Sequence, residues 1–404
     1  MNFPLLLDGA TGTELTRRGF SKGVCAEAWT LDHPEVIREI QSGYVSAGSQ
    51  VIYAPTFGAN RITLSRHGLG DRVKEFNGAL VALARESAGD QALVAGDLSP
   101  TGEMLCPLGT LRFEELTAVY AEQAKALEEA GVDLFVIETM LSLPEARAAV
   151  LAVREASRKP VFVSFSCDSR GRTLTGTDVA AALRVMEGMG VDVFGLNCSA
   201  GPGEMLPQLR RLGEIASVPL LAKPNAGLPE VIDGRTVYNC PPEEFAAYAP
   251  AFAQCGVAVF GGCCGTHAGH IAALRRELAS LQVTPPCGLH GDAPVCASER
   301  RLFQPGKNAE IKEILLCSDT LEEDLEELSG GDEDILGLRL EGCEALDALE
   351  ECRLSLTRPI CFLCEDADVL ERALRLYPGR ALYRGELGEA ALGALAEKYG
   401  VIRI

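Results

Sequence analysis

Gly261-Gly262-Cys263-Cys264 sets two adjacent cysteines behind two glycines, and Asn197-Cys198 supplies a third thiol well upstream. Both cysteine sites directly follow short apolar runs, Val191–Leu196 and Val257–Phe260, that read as buried strands. If the two strands belong to one parallel barrel, their C-terminal ends open on one face and the three thiolates converge. Zinc prefers sulfur and nitrogen ligands in a tetrahedron, and three protein ligands leave one position open for chemistry. The glycines let the backbone bend so that adjacent cysteines reach one ion. A lone Cys-Cys pair reads more readily as packed thiols or a vicinal disulfide. Cys198 at an equivalent strand end turns the reading toward metal.

The elements that must position these thiols are visible as alternation. Strands are expected at Phe3–Leu7, Gln50–Ala54, Ala92–Gly96, Asp133–Ile137, Pro160–Phe165, Val191–Leu196, Val218–Ala222 and Gly256–Phe260. Amphipathic helices are expected between them, among them Pro34–Ala47, Phe113–Ala130 and a single helix over Pro242–Gln254. Strict strand–helix alternation with eight strands predicts an α/β fold, a parallel (β/α)8 TIM barrel over residues 1–284. A doubly wound sheet would show a Gly-rich phosphate turn after its first strand, and Asp8-Gly9-Ala10-Thr11-Gly12 is not G-x-G-x-x-G. In a barrel, chemistry sits at the C-terminal strand ends. Those ends read Asp8, Thr56, Asp97, Glu138, Ser166-Cys167, Asn197-Cys198, Lys223 with Asn225, and Cys263-Cys264.

Prolines and glycines over 285–308 read as a linker. A second βα series over 309–404 predicts a smaller open α/β domain, or half a barrel leaning on the first. Cys361 and Cys364 form a C-x-x-C that reads as packed thiols, because no second pair accompanies it.

Composition limits what the chain can do. Its 404 residues are 47% hydrophobic and carry a net charge of −20. Binding to nucleic acid or anionic lipid through a basic surface is therefore not expected. No apolar run approaches the roughly 20 residues of a membrane-spanning helix. Asp8 interrupts the only apolar start, so no secretory leader is expected. Fifteen cysteines, an odd number in a chain of this size, suit a reducing cytoplasm better than a disulfide framework.

The strand-end motifs together carry a resemblance. Asp8-Gly9-Ala10-Thr11-Gly12-Thr13-Glu14-Leu15, Pro55-Thr56-Phe57-Gly58-Ala59-Asn60-Arg61, Glu138-Thr139-Met140, Gly195-Leu196-Asn197-Cys198-Ser199, Lys223-Pro224-Asn225-Ala226-Gly227 and Gly261–Thr266 resemble the homocysteine S-methyltransferase family. Within it they are most similar to the homocysteine-binding barrel of bacterial cobalamin-dependent methionine synthases, over roughly residues 1–280. The resemblance implies zinc on Cys198, Cys263 and Cys264, with Asn225 as a further candidate when substrate is absent. It implies that Asp8 and Glu138 engage the homocysteine amino group and that backbone near Gly9, Ala10 and Thr11 meets the carboxylate end. Thr56, Asn60 and Ser199 are candidates at the rim. No protein acid or base is assigned, because the zinc-activated substrate thiolate is itself the nucleophile. Residues 298–404 weakly resemble the first half of a folate-binding barrel, Ser298-Glu299-Arg300-Arg301 standing where such barrels read Gly-Glu-Arg-Thr-Asn. No Asp-x-His-x-x-Gly for a lower axial cobalamin histidine occurs. The expected donor is therefore methylcobalamin on a separate corrinoid protein, with S-methylmethionine, S-adenosylmethionine or betaine as alternatives. A non-catalytic homocysteine-binding subunit of a methyl-transfer complex is the reading from another class.

Overall fold

The eight expected strands pair side by side as one parallel sheet in a computed structural model that describes residues 2–21, 23–232, 235–284, 286, 295–304, 310–328 and 335–404. They are β1 (Leu5–Leu6), β2 (Val51–Tyr53), β3 (Leu93–Leu98), β4 (Leu134–Met140), β5 (Val161–Phe165), β6 (Val193–Asn197), β7 (Leu220–Lys223) and β8 (Val257–Phe260). Neighbours run β2 to β7 in sequence order, then β8 and β1. The seam between β1 and β2 is closed by Gln50, whose backbone N–H donates to Leu6 O at 2.7 Å. Its side-chain oxygen accepts the Leu6 N–H at 2.9 Å. A side chain thus substitutes for ladder bonds that so short a first strand cannot make.

Side chains alternate across the wall, as strand geometry requires. Leu5, Val51, Ala95, Val136, Phe162, Val193, Leu221 and Val259 fill the barrel interior. Leu6, Ile52, Val94, Phe135, Val163, Phe194, Leu220 and Phe260 belong to the outer core beneath the helices. Burial on both faces explains why these strands read as continuous apolar runs. The helix expected over Pro242–Gln254 is two, Pro242–Ala246 and Ala249–Gln254. Pro250 lies in the first turn of the second, where proline is tolerated, but it has no N–H to continue the first. A two-stranded hairpin, Glu230–Ile232 with Arg235–Val237, is inserted after β7 and was not expected. Among the described residues, no helix is long and apolar enough to cross a membrane.

The C-terminal region forms a second parallel sheet: β9 (Ile311–Leu316), β10 (Ile335–Arg339), β11 (Ile360–Leu363), β12 (Leu382–Tyr383) and β13 (Ile402–Arg403). Its strands lie strictly in chain order. That order with intervening helices is an open parallel α/β sheet. A small hairpin, Cys296–Ala297 with Leu302–Phe303, packs Cys296 and Phe303 against Ile335, Cys361 and Leu382. Cys361 and Cys364 are buried, the latter pointing its thiol at Asp366 O. Most of the stretch 285–308 lies outside the described residues. Within it, Glu299 accepts the Thr177 hydroxyl at 2.9 Å, and its carbonyl accepts the Asp178 N–H at 3.1 Å. The Ser-Glu-Arg-Arg segment is therefore tied to a loop of the barrel.

Arg147 makes the deepest connection between the two sheets. It is 1% exposed and has no carboxylate partner among the described residues; it donates to Leu374 O and, at 2.9 Å, to Arg375 O. These carbonyls end the helix Ala367–Leu376, where a cation meets the negative pole of the helix dipole. Burial pushes the guanidinium down to about 10, which leaves it charged at neutral pH. Arg147→Met keeps the aliphatic bulk and removes only the donors. It is expected to cost about 2–3 kcal/mol, in line with charged hydrogen bonds to buried acceptors, read as a lower midpoint of urea unfolding. An unchanged midpoint would show that the helix end needs no partner from the barrel.

Candidate active site

The three cysteines meet at the C-terminal rim of the barrel. β6 ends at Asn197, and Cys198 follows in the left-handed region at φ 51°. β8 ends at Phe260 and hands over to the two glycines. A Cβ on Gly262 would lie 2.5 Å from the Thr266 hydroxyl oxygen, so this position has no room for a side chain. The turn is fixed from below: Thr266 donates to Cys263 O at 2.7 Å, and Cys263 N–H donates to Pro224 O at 2.8 Å. All three sulfurs lie within 4.8 Å of one another, with Cys198 and Cys264 sulfurs 3.4 Å apart. This is the one such cluster of three or more metal-capable side chains among the described residues.

The donor set fits a soft divalent ion. Hydrogen bonds from Cys198 and Cys263 pull the Cys264 thiol down, to about 3. Hydrogen bonding to Cys198 and Cys264 pushes Cys263 well up. Three sulfurs this close together form a soft donor set that a single divalent cation would complete. All three cysteines line a single cavity of about 260 Å³, which supplies the open side a fourth ligand would need. That is below the roughly 300–1,000 Å³ of drug-sized pockets and suits a small metabolite.

A buried charge cluster lines the same cavity. Lys223 Nζ lies 3.1 Å from Asp8 Oδ1, 3.8 Å from Glu138 Oε2 and 3.5 Å from the centre of the Tyr53 ring. Burial alone would lower this ammonium, but the Tyr53 ring and the two carboxylates outweigh it and hold it well above its ordinary value. Asp8 Oδ2 accepts the Tyr53 N–H at 2.8 Å. Burial raises the Glu138 carboxyl, against the pull of Lys223. Burial, with the charge of Glu138 beside it, pushes Asp97 well above the usual carboxylate range.

Asn197 ties these parts together. Its Nδ2 donates to Glu138 Oε2 at 3.2 Å and to Thr139 Oγ1 at 2.7 Å. Its Oδ1 accepts from Thr139 N–H and from the Ser164 hydroxyl, both at 2.9 Å. Thr139 is itself left-handed at φ 60°, an outlier for a β-branched residue that persists only when its surroundings fix it.

The sequence candidates divide into two groups. Asp8, Gly9, Ala10, Thr11, Glu138, Cys198, Cys263 and Cys264 line the cavity. Thr56, Asn60 and Ser199 do not. Thr56 binds the Asp97 backbone in both directions, at 2.9 and 3.1 Å. Asn60 caps the helix Arg61–Ser65 by accepting the Thr63 N–H. Ser199 receives the Cys167 N–H at 3.0 Å. Asn225 is buried one residue past Pro224, and its amide oxygen has no hydrogen-bond partner. Sequence reasoning noted Asn197 and Lys223 only as strand ends, and Asp97 as a strand-end residue able to line the pocket with no step assigned; Asp97 does line the cavity. Strand parity would have selected them: Ala95, Val193 and Leu221 face inward, so Asp97, Asn197 and Lys223 do too. Tyr238 was missed altogether. It directly follows the inserted hairpin and packs where a Cβ on Gly265 would sit, beside Cys264.

Fold and site together define a (β/α)8 barrel with its reactive groups gathered at the C-terminal mouth. The model of the homocysteine S-methyltransferase family matches residues 5–278. The chain belongs to that family of methyltransferases. It is 33% identical over 293 residues to the methionine synthase of Mycobacterium tuberculosis (strain ATCC 25618 / H37Rv), covering 68% of this chain and 24% of that protein. The methionine synthase of Mycobacterium leprae (strain TN) is 34% identical over 292 residues, with the same coverage. The chain thus spans about a quarter of the length of these relatives. Among solved structures, the homocysteine methyltransferase MmuM of Escherichia coli is similar in its oxidised form at a TM-score of 0.58 and 28% identity, over 68% of this chain and 95% of MmuM. The metallated form of MmuM matches at the same TM-score and 27% identity.

Proposed function

We propose that this chain methylates the thiol of homocysteine to give methionine, and that residues 1–284 carry the reaction. The observation that carries this reading is the convergence of Cys198, Cys263 and Cys264 on one cavity that buried carboxylates also line. Cys198, Cys263 and Cys264 would hold zinc, with the unpartnered Asn225 amide oxygen as a candidate when substrate is absent. Zinc bound there supplies the Lewis acidity that keeps a substrate thiol, ordinarily near pKa ~8.5, deprotonated at neutral pH. The protein does the rest by placement. Buried carboxylates take the ammonium through charge-assisted hydrogen bonds, and the backbone of Gly9–Thr11 meets the carboxylate. The substrate sulfur then forms its bond to the methyl carbon as the donor–methyl bond breaks, its electron pair staying with the donor. No protein acid or base is required.

The donor we favour is methylcobalamin on a separate corrinoid protein, given the methionine synthases among the relatives. A small methyl donor is the second reading, favoured by a homocysteine methyltransferase whose length this chain covers almost entirely. The fourteen described cysteines are all free, which suits a reducing cytoplasm. The test is metal content together with methionine formation from homocysteine. Methylcobalamin, S-methylmethionine, S-adenosylmethionine and betaine would be supplied in turn. One zinc per chain with turnover from methylcobalamin supports the first reading. Turnover only from a sulfonium or betaine moves it to the second. Zinc-free protein under reducing conditions sinks both.

A further inference from the structure

A second cavity, of about 120 Å³, opens where the barrel meets the C-terminal region, and no residue lines both it and the cysteine cavity. The loop after β3 supplies Met104 and Leu108, the loop after β5 supplies Leu174, and the first turn of the helix Leu143–Ala156 supplies Glu145. Glu299 and Arg353 enter from the C-terminal side. The three apolar side chains are exposed, Leu174 at 77%. The polar groups are buried but only half used. Glu145 is 5% exposed. Its Oε1 accepts the Thr101 N–H and hydroxyl, each at 2.8 Å, with the Tyr120 hydroxyl at 3.0 Å, while Oε2 has no donor among the described residues. Glu299 accepts the Thr177 hydroxyl through Oε1. Arg353, 9% exposed, donates from Nη2 to Cys106 O at 2.9 Å. The remaining Glu299 Oε2 and Arg353 Nη1 stand 3.9 Å apart, too far for a hydrogen bond.

Charged groups buried with spare valences are costly unless something completes them. Burial raises the Glu145 and Glu299 carboxyls and lowers the Arg353 guanidinium, so each charge is short of partners. What would complete all three must carry both signs. A carboxylate fits the guanidinium fork, and an ammonium fits the free carboxylate oxygens. Glu299 Oε2 and Arg353 Nη1 are close enough to reach two groups borne on one carbon. The apolar rim then covers whatever else that carbon carries, in a space that admits only a small molecule. We propose that this cavity binds a small apolar α-amino acid, with its carboxylate on Arg353, its ammonium on Glu299 and Glu145, and its side chain along Met104, Leu108 and Leu174. The assignment uses none of the residues of the cysteine cavity and stands apart from the homocysteine reading.

The test is calorimetric titration of the full chain with L-norleucine, which has no sulfur to offer a metal at the cysteines. Pentylamine, which lacks the carboxylate, and hexanoate, which lacks the ammonium, are titrated beside it. Wild type is expected to prefer norleucine to each by roughly tenfold or more. Glu145→Gln keeps an acceptor for Thr101 and Tyr120 and replaces only the free oxygen with a donor, so the fold is expected to hold. It should weaken norleucine by roughly tenfold to a hundredfold, the range of a lost hydrogen bond to a charged group, and leave hexanoate within about twofold of wild type. Arg353→Met should weaken norleucine by a similar factor while pentylamine binds at least as well as before, since Glu299 has lost its only nearby cation. Opposite ligand patterns in the two variants cannot come from a general loss of structure. Wild type that binds no norleucine at millimolar concentration overturns the assignment. Norleucine affinity unmoved by both variants places the ligand elsewhere and overturns it too, as does equal binding of all three ligands to wild type.

Discussion

Cys263→Ala is expected to abolish stoichiometric zinc binding and to lower homocysteine methylation by at least about 10²-fold, more than any other single change in the barrel. The substitution leaves Cys198 and Cys264, 3.4 Å apart, as the only thiols at the site. Two ligands do not make a closed three-coordinate base for zinc. Without the ion a substrate thiol near its ordinary pKa of ~8.5 is only a few per cent ionised at neutral pH, and its sulfur is no longer placed. Cys167→Ala is the comparison. That thiol is close by in the same rim, where it packs against the outer core and accepts from the Ser199 hydroxyl at 3.9 Å. It is expected to keep its zinc and its turnover. Metal analysis of both variants alongside methionine formation checks this. Full zinc in Cys263→Ala would remove the three-thiol site from the argument.

The barrel was legible because its physics writes itself into one dimension. Strands buried on both faces become unbroken apolar runs, and a parallel sheet forces a helix between each pair. The cysteine trio was legible because the same rule sends β6 and β8 to one rim. What the sequence hid were the polar residues that turn sideways. Thr56, Asn60 and Ser199 look like rim ligands, but each satisfies backbone groups left over where a strand ends or a helix begins. The pairing of Lys223 with Asp8 joins residues from β7 and the loop after β1, neighbours only through the closed barrel. No local pattern announces such a pair. The hairpin that brings Tyr238 was hidden because its strands, Glu230–Ile232 and Arg235–Val237, lie outside the barrel wall and are not constrained to be apolar.

Asn197→Asp tests whether the site is positioned by a single amide, and it is expected to be the most damaging near-isosteric change outside the cysteines. The asparagine is fully buried and all four of its bonds are used, two donated and two accepted. An aspartate keeps the two acceptor contacts from Thr139 N–H and Ser164. It turns both donors into acceptors and sets a carboxylate where Nδ2 now lies 3.2 Å from Glu138 Oε2. Two carboxylates so close do not both ionise, so one must hold a proton or Glu138 must swing away. The hydroxyl of left-handed Thr139, which now accepts from Nδ2, turns round to donate to the new oxygen, so this contact is reversed and the damage falls on Glu138. Asn197→Ala removes all four bonds and is expected to cost about 3 kcal/mol or more in urea unfolding. Asn197→Asp is expected to cost about as much stability and, in addition, to weaken homocysteine by roughly tenfold or more, since Glu138 is displaced or neutralised. If Asn197→Asp instead bound homocysteine as wild type does while only its unfolding midpoint fell, Glu138 would be held by the strand alone. The link from one buried amide to the substrate's ammonium would then be broken.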